Sequence, residues 1–177
     1  MLNQHFFKIL ILSAAVIVAT QASACSKSVS GNTSSSSSGS VRNSGDEEQD
    51  ILFYVNKFRK SKGLAPLSLS ETLSVEARGH SKSMANGRTG FGHDGFEQRI
   101  DGISKKLGRV SAAAENVAYG NLSAEAVVDG WIKSPGHRKN MLGDFNLIGI
   151  GTAKGKGNIV YFTQIFISKP SDKTASK

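Results

Sequence analysis

The sequence predicts an α+β domain in which an antiparallel sheet lies between helical layers, an α-β-α sandwich. Three observations carry this. Apolar residues recur at helical spacing from Ile51 onward, the runs LIGIGT and IVYFTQIFIS close the chain with β-branched and aromatic residues, and the second run is apolar on both faces. Ile165 and Ile167 point one way and Phe162 and Phe166 the other, so a layer must cover each side.

The first fifty residues stand apart from that domain. Lys8 precedes an apolar run from Ile9 to Ala19, and Ala22-Ser23-Ala24 has the small-x-small pattern of a cleavage site, so residues 1–24 read as a signal peptide. The run is shorter than the roughly 20 residues a membrane-spanning helix needs. Cys25 is the only cysteine, which excludes a disulfide within the chain. Its position resembles the lipidated cysteine of bacterial lipoproteins, although Ala22 stands where those carry leucine; plain secretion is the alternative. Residues 25–49 are serine-rich with an acidic end and read as a flexible tether. The folded domain is expected over 50–168, with a polar tail over 169–177.

Within the domain, Ile51, Val55 and Phe58 form one face of a first helix that Gly63 stops. Ser68 with Glu71 has the capping-box spacing for a second, which carries Leu73, Ala77, His80 and Met84 on one face and ends near Asn86-Gly87. Asp94 with Glu97 repeats that spacing before Phe96, Ile100, Ile103 and Leu107, a third helix ending near Gly108. Ser123 caps a fourth that stacks Val127 and Val128 on Trp131 and Ile132. That helix stops at Ser134, because a residue before proline leaves the helical region, and Ser134 with Pro135 starts a fifth. The segment from Ala112 to Tyr119 is strand-like, and a Gly-Lys-Gly turn joins the two final strands into a hairpin.

A formal charge of +8 stays basic without Lys8. Anionic lipid, cell-wall polymer and nucleic acid all attract such a chain. The cations are scattered, with only short groups such as Lys105-Lys106 and Arg138-Lys139, and no aromatic interleaving marks a nucleic-acid surface, so nucleic acid is not an expected partner. There is no Gly-x-Ser-x-Gly elbow and the one thiol lies outside the domain, which leaves little support for serine or cysteine nucleophiles.

Three stretches place ionisable groups where packing alone does not ask for them. His93 sits among glycines in GFGHDG, free either to bond the backbone or to face a ligand. Asp94 and Glu97 beside it are explained by the helix cap. Glu115 lies in AAENVAYG, whose apolar flanks mean that its carboxylate must reach solvent or a partner. His137 in SPGHRKNML falls in a first helical turn, where the positive helix end lowers its pKa and neighbouring carboxylates raise it. Asn140 is a partner for it or plain helix surface. His80, on an apolar face, reads as a satisfied core residue.

Taken together and in order, VNKFRKSKGLAPLSLS, the helix leading to HSKSMA, GHDGFEQRI, AENVAYG, AVVDGWIKSPGHRKNML, and IGIGTA followed by YFTQIF resemble the CAP superfamily of cysteine-rich secretory, antigen 5 and pathogenesis-related proteins. The likeness is closest to its bacterial extracellular branch and covers roughly residues 50–168. It implies the sandwich already expected, with an open cleft lined by two histidines and two acids that in several members holds a divalent metal. By motif, His93 and His137 match the histidines and Glu115, followed by Asn116, matches the glutamate. Ala114 replaces the usual glycine. Ser134 stands where many relatives carry the second acid, so Asp94 or another acid would have to serve. His93, His137 and Glu115 would suit zinc with an open position for water, without requiring it. Joined to the leader and Cys25, the resemblance implies an exported, lipid-anchored binding module for a lipid, a metal, or an envelope or host component. The alternative is a metal-assisted hydrolase in which Glu115 handles the water.

Overall fold

The computed structural model describes residues 44–170 and the pair Lys8–Ile9. The rest of the expected leader, Cys25, the tether up to residue 43 and the tail from residue 171 lie outside the described residues.

Helix α1 (Ser44–Ser61) begins before Ile51, inside the acidic run assigned to the tether, so the boundary expected at residue 49 moves back. Asp46 and Glu47 lie in its first turn and complement the positive helix end. Glu48 is buried and pairs with Arg78 at 2.7 Å. Burial pushes the Glu48 carboxyl above its ordinary value against the pull of Arg78. After α1, the Asn56 side chain bonds both the N–H and the carbonyl of Leu67, and the Arg59 guanidinium donates to the carbonyls of Ala65, Met141 and Gly143.

Strand β2 (Ser68–Leu69) pairs parallel with Leu147 and Ile148, and this overturns the first capping box. With Ser68 drawn into the sheet, Ser70 is the N-cap residue of α2 (Glu71–Ala85), and its side chain makes no capping bond. The Glu71 carboxylate accepts from Arg78 instead. The second box fails as well. Helix α3 (Phe96–Leu107) has Gly95 at its N-cap, in the left-handed region at φ 77° and with no side chain to cap. Asp94 is one residue too early.

Strand β3 (Ala112–Gly120), helices α4 (Ala124–Lys133) and α5 (Pro135–Met141), and strands β4 (Leu147–Lys154) and β5 (Val160–Ser168) complete the domain. Ser123 caps α4 as expected, accepting from Ala126 N–H. With β1 (Lys8–Ile9), the sheet order is β1-β3-β5-β4-β2. The three long strands are antiparallel, while the two-residue β1 and β2 pair parallel with β3 and β4. The sheet is therefore mixed rather than wholly antiparallel, because β2, returning from α1, attaches along β4, and Lys8–Ile9, within the expected leader, attach along β3.

The sheet separates two cores. On one face, α1, α4 and α5 cover Ala114, Ile148, Ile150, Phe162 and Phe166; on the other, α2 and α3 cover Ala113, Ile165 and Ile167. Helix α2 lies almost on the backbone of β4. A Cβ on Gly149 or Gly151 would fall 2.1–2.6 Å from α2 atoms, so only glycine fits the contact. Ser74 accepts from Ile150 N–H, and Ser81 bonds both Gly151 O and Thr163 Oγ1, which satisfies the polar groups trapped there.

Candidate functional site

Glu115 is the centre of the cluster, and its carboxylate is buried at 4% exposure. The uncomfortable apolar setting is resolved by Arg99 on α3. Its Nε and Nη2 donate to Glu115 Oε2 at 3.0 and 2.8 Å, and Nη2 also reaches Oε1 at 2.8 Å. His93 Nδ1 lies 2.9 Å from Oε1; a carboxylate only accepts, so Nδ1–H donates. Arg99 Nη1 donates to the Asp94 backbone carbonyl at 2.8 Å, while the Asp94 residue itself is exposed. Asp94 therefore joins through its backbone and does not supply a second acid. The charge facing Glu115 is a cation.

His80 also belongs here. It is buried, its Nε2–H donates to Gly92 O at 2.8 Å, and the same nitrogen lies 3.8 Å from Glu115 Oε1. Burial lowers its pKa and outweighs the opposing charge of Glu115.

The other half of the site comes from α4 and α5. Successive residues of a strand face opposite ways, so Glu115 and Asn116 enter different layers. Asn116 Nδ2 donates to His137 O and Gln164 Oε1, both at 3.2 Å, and Asn116 Oδ1 accepts from Asn140 Nδ2 at 2.9 Å. Beyond Ala113, no strand flanks the outer edge of β3 among the described residues. The Glu115 and Val117 carbonyls accept instead from Asn140 Nδ2 at 3.2 Å and Trp131 Nε1 at 3.3 Å. Asn140 is thus a structural partner of the strand edge as well as a neighbour of His137. These bonds stop the edge from offering a free ladder.

His137 is 1% exposed and no described group bonds either ring nitrogen. Its pKa falls to about 4, chiefly through burial and secondarily through His93. Neither the helix end nor a carboxylate, the two opposed influences weighed from the sequence, is the main cause; burial is. Ser134 is buried and sits at the N-cap of α5 with Pro135 after it, as expected, though its hydroxyl makes no capping bond.

An unfolded histidine takes up its proton near pH 6.5, whereas His137 in the fold resists until about pH 4. Between those values the unfolded state binds more protons, so stability falls as pH falls, by roughly 3 kcal/mol across the window. His80, lowered in the same direction, adds to the slope. Urea unfolding at pH 7 and pH 4.5 should show a smaller acid loss for His137→Asn than for the native chain. Equal losses would mean that His137 is not held neutral by burial.

The three residues expected to bind a metal converge only in part. Glu115 and His93 touch and His137 lies behind them, but Arg99 engages both carboxylate oxygens. A cation at Glu115 would sit against a guanidinium, so the set does not fit a metal while that pair is closed. Among the described residues, no group of three His, Cys, Asp or Glu side chains is arranged to hold one. Sequence reasoning missed Arg99 and Gln164, and set His80 aside as a satisfied core residue, which its burial and its bond to Gly92 O bear out. The signal for Arg99 was its place between Phe96 and Ile100 on the apolar side of α3, where a cation needs a partner.

The profile of the cysteine-rich secretory protein family, CAP, matches residues 52–166. Two Bacillus subtilis proteins are similar. YkwD is 37% identical over 126 residues, covering 69% of this chain and 47% of its own. The membrane protein YlbC is 32% identical over 134 residues, covering 69% and 34%. The chain therefore spans less than half the length of either relative. An extracellular protein containing an SCP domain from Bacillus anthracis superposes with TM-score 0.62 and 29% identity over 71% of this chain and 41% of its own. An outer surface protein of Borrelia burgdorferi gives TM-score 0.62 at 24% identity, over 73% and 97%; at that identity the likeness concerns the fold alone.

Proposed function

Because the chain belongs to the cysteine-rich secretory protein family, we propose that it is an exported surface module, lipid-anchored at Cys25, that binds a ligand beside His137 rather than turning one over. The observation that carries this reading is the Arg99–Glu115 pair. It occupies the carboxylate that a hydrolase would need for its water, and leaves an unpartnered neutral imidazole behind it. That imidazole borders a pocket otherwise lined mostly by apolar groups, among them Val117, Leu122, Val127 and Trp131. Such a lining with a single polar group suits an aliphatic chain carrying one polar end. The space open beside His137 is about 20 Å³, room for about one water, so the pocket must widen to admit that chain. Export is supported by the leader pattern before Cys25 and by a neighbour described as extracellular; the anchor rests on the place of Cys25 directly after that pattern.

Trp131 is the only tryptophan and lines that pocket, so its emission reports occupancy. Titration with dodecanoate should change it saturably, and His137→Ala should weaken binding about tenfold, the loss of one buried hydrogen bond. An unresponsive emission, or equal affinity in the variant, would sink the reading. Ester hydrolysis that disappears in Glu115→Gln would favour the hydrolase instead. Fatty-acid labelling that survives Cys25→Ala would remove the anchor.

A further inference from the structure

Two residues before His93 and four after Glu115, the chain builds a second feature that the His137 pocket does not use. Tyr119 stands directly opposite Tyr161 across the β3–β5 ladder. Their rings stack at 5.6 Å and 19°, and Phe91 closes edge-on against Tyr119 at 4.7 Å. Phe91 and Tyr119 are each 38% exposed, so aromatic surface remains open to solvent. This platform borders a groove of about 650 Å³, within the usual range of ligand sites. Lys154 and Lys156, both exposed, stand along it, and Asn86 at the end of α2 also lines it. Tyr161 packs on Gly155 so closely that a Cβ there would lie 2.8 Å from the ring. The turn carrying both lysines is thus fixed relative to the stack.

We propose that this groove binds an anionic polysaccharide strand. The flat C–H face of a sugar ring matches the negative face of an aromatic ring, and the groove offers a stacked pair rather than a closed cage. Neither lysine makes an ion pair with a described residue, and no acidic side chain lines the groove. A carboxylate or other anionic substituent on the strand supplies the missing counter-charge. Two lysines give local charge but no basic track of the kind a nucleic-acid backbone follows.

The test uses the full chain, a hexamer of galacturonic acid, and the same hexamer fully methyl-esterified, which keeps the sugar faces and removes the charge. By calorimetry at low salt, the acid form should bind at least tenfold tighter than the ester. Lys154→Ala with Lys156→Ala should abolish that difference, as should 0.5 M salt, on the order of a 3–5 Å screening length. Tyr119→Ala should weaken both forms about tenfold and Tyr119→Phe should not. His137→Ala should leave all of this unchanged, which separates this site from the pocket proposed above. Binding that ignores Tyr119→Ala would reduce the groove to charge alone and overturn the proposal. Tighter binding of a thymidine hexanucleotide than of the acid glycan would overturn it in favour of nucleic acid.

Discussion

Arg99→Met should cost about 3–5 kcal/mol of folding stability, because it strands a buried carboxylate without its cation. The Glu115 side chain is 2% exposed and that of Arg99 11%, so water cannot replace the guanidinium without opening the site. His93 Nδ1 would remain as a donor to Glu115 Oε1, but Oε2 would lose both of its described donors. Glu115→Gln combined with Arg99→Met should recover much of the loss, since the amide carries no charge to strand. Urea unfolding of the two single variants and the double variant closes a double-mutant cycle and isolates the pair. A single-variant loss under about 1 kcal/mol, the range of an exposed pair, would show that Glu115 is far better hydrated than its burial implies.

Gly151→Ala should be comparably damaging for a steric reason. The added Cβ would lie 2.1 Å from the Arg78 amide nitrogen, 2.3 Å from the Ala77 carbonyl carbon and 2.5 Å from Arg78 Cα. All three are backbone atoms, which no rotamer change can move aside. Helix α2 must lift from β4, loosening Ser81 from Gly151 O and Thr163. Overpacking of this kind costs about 1–3 kcal/mol or more, and the lost bonds add to it. Gly79→Ala is the control on the same helix: Gly79 is exposed with nothing within 4 Å of its added Cβ, so alanine should stabilise by about 0.5–1 kcal/mol. Thermal melts should move in opposite directions for the two variants. A Gly151→Ala melt at or above the native one would show that α2 is not seated as described.

Most of the framework was legible because it depends on period and local chemistry. Val127, Val128 and Trp131 marked the buried face of α4, Ser134-Pro135 marked the junction with α5, and the two-sided apolar pattern of β5 required the layers now seen on both faces. The family resemblance, carried by six short stretches, holds over residues 52–166. What failed depended on distant partners. Ser68 satisfies the capping spacing as well as any serine, yet the edge of β4 captures it. Glu48 looks like tether composition until Arg78 is placed beside it. His93 and Glu115 were identified by sequence context and do meet. Arg99, which decides what that carboxylate can do, was hidden as one cation among many.

The C-terminal strand β5 lies in the middle of the sheet, between β3 and β4. In the order of synthesis this places the keystone last. Until Val160–Ser168 leaves the ribosome, β3 has no long partner and β4 meets only the two residues of β2. The nascent chain can form helices but cannot close either core, and its sheet waits on contacts between residues far apart in sequence. Closure of both cores therefore waits on β5, the strand of this domain that follows all the others in sequence.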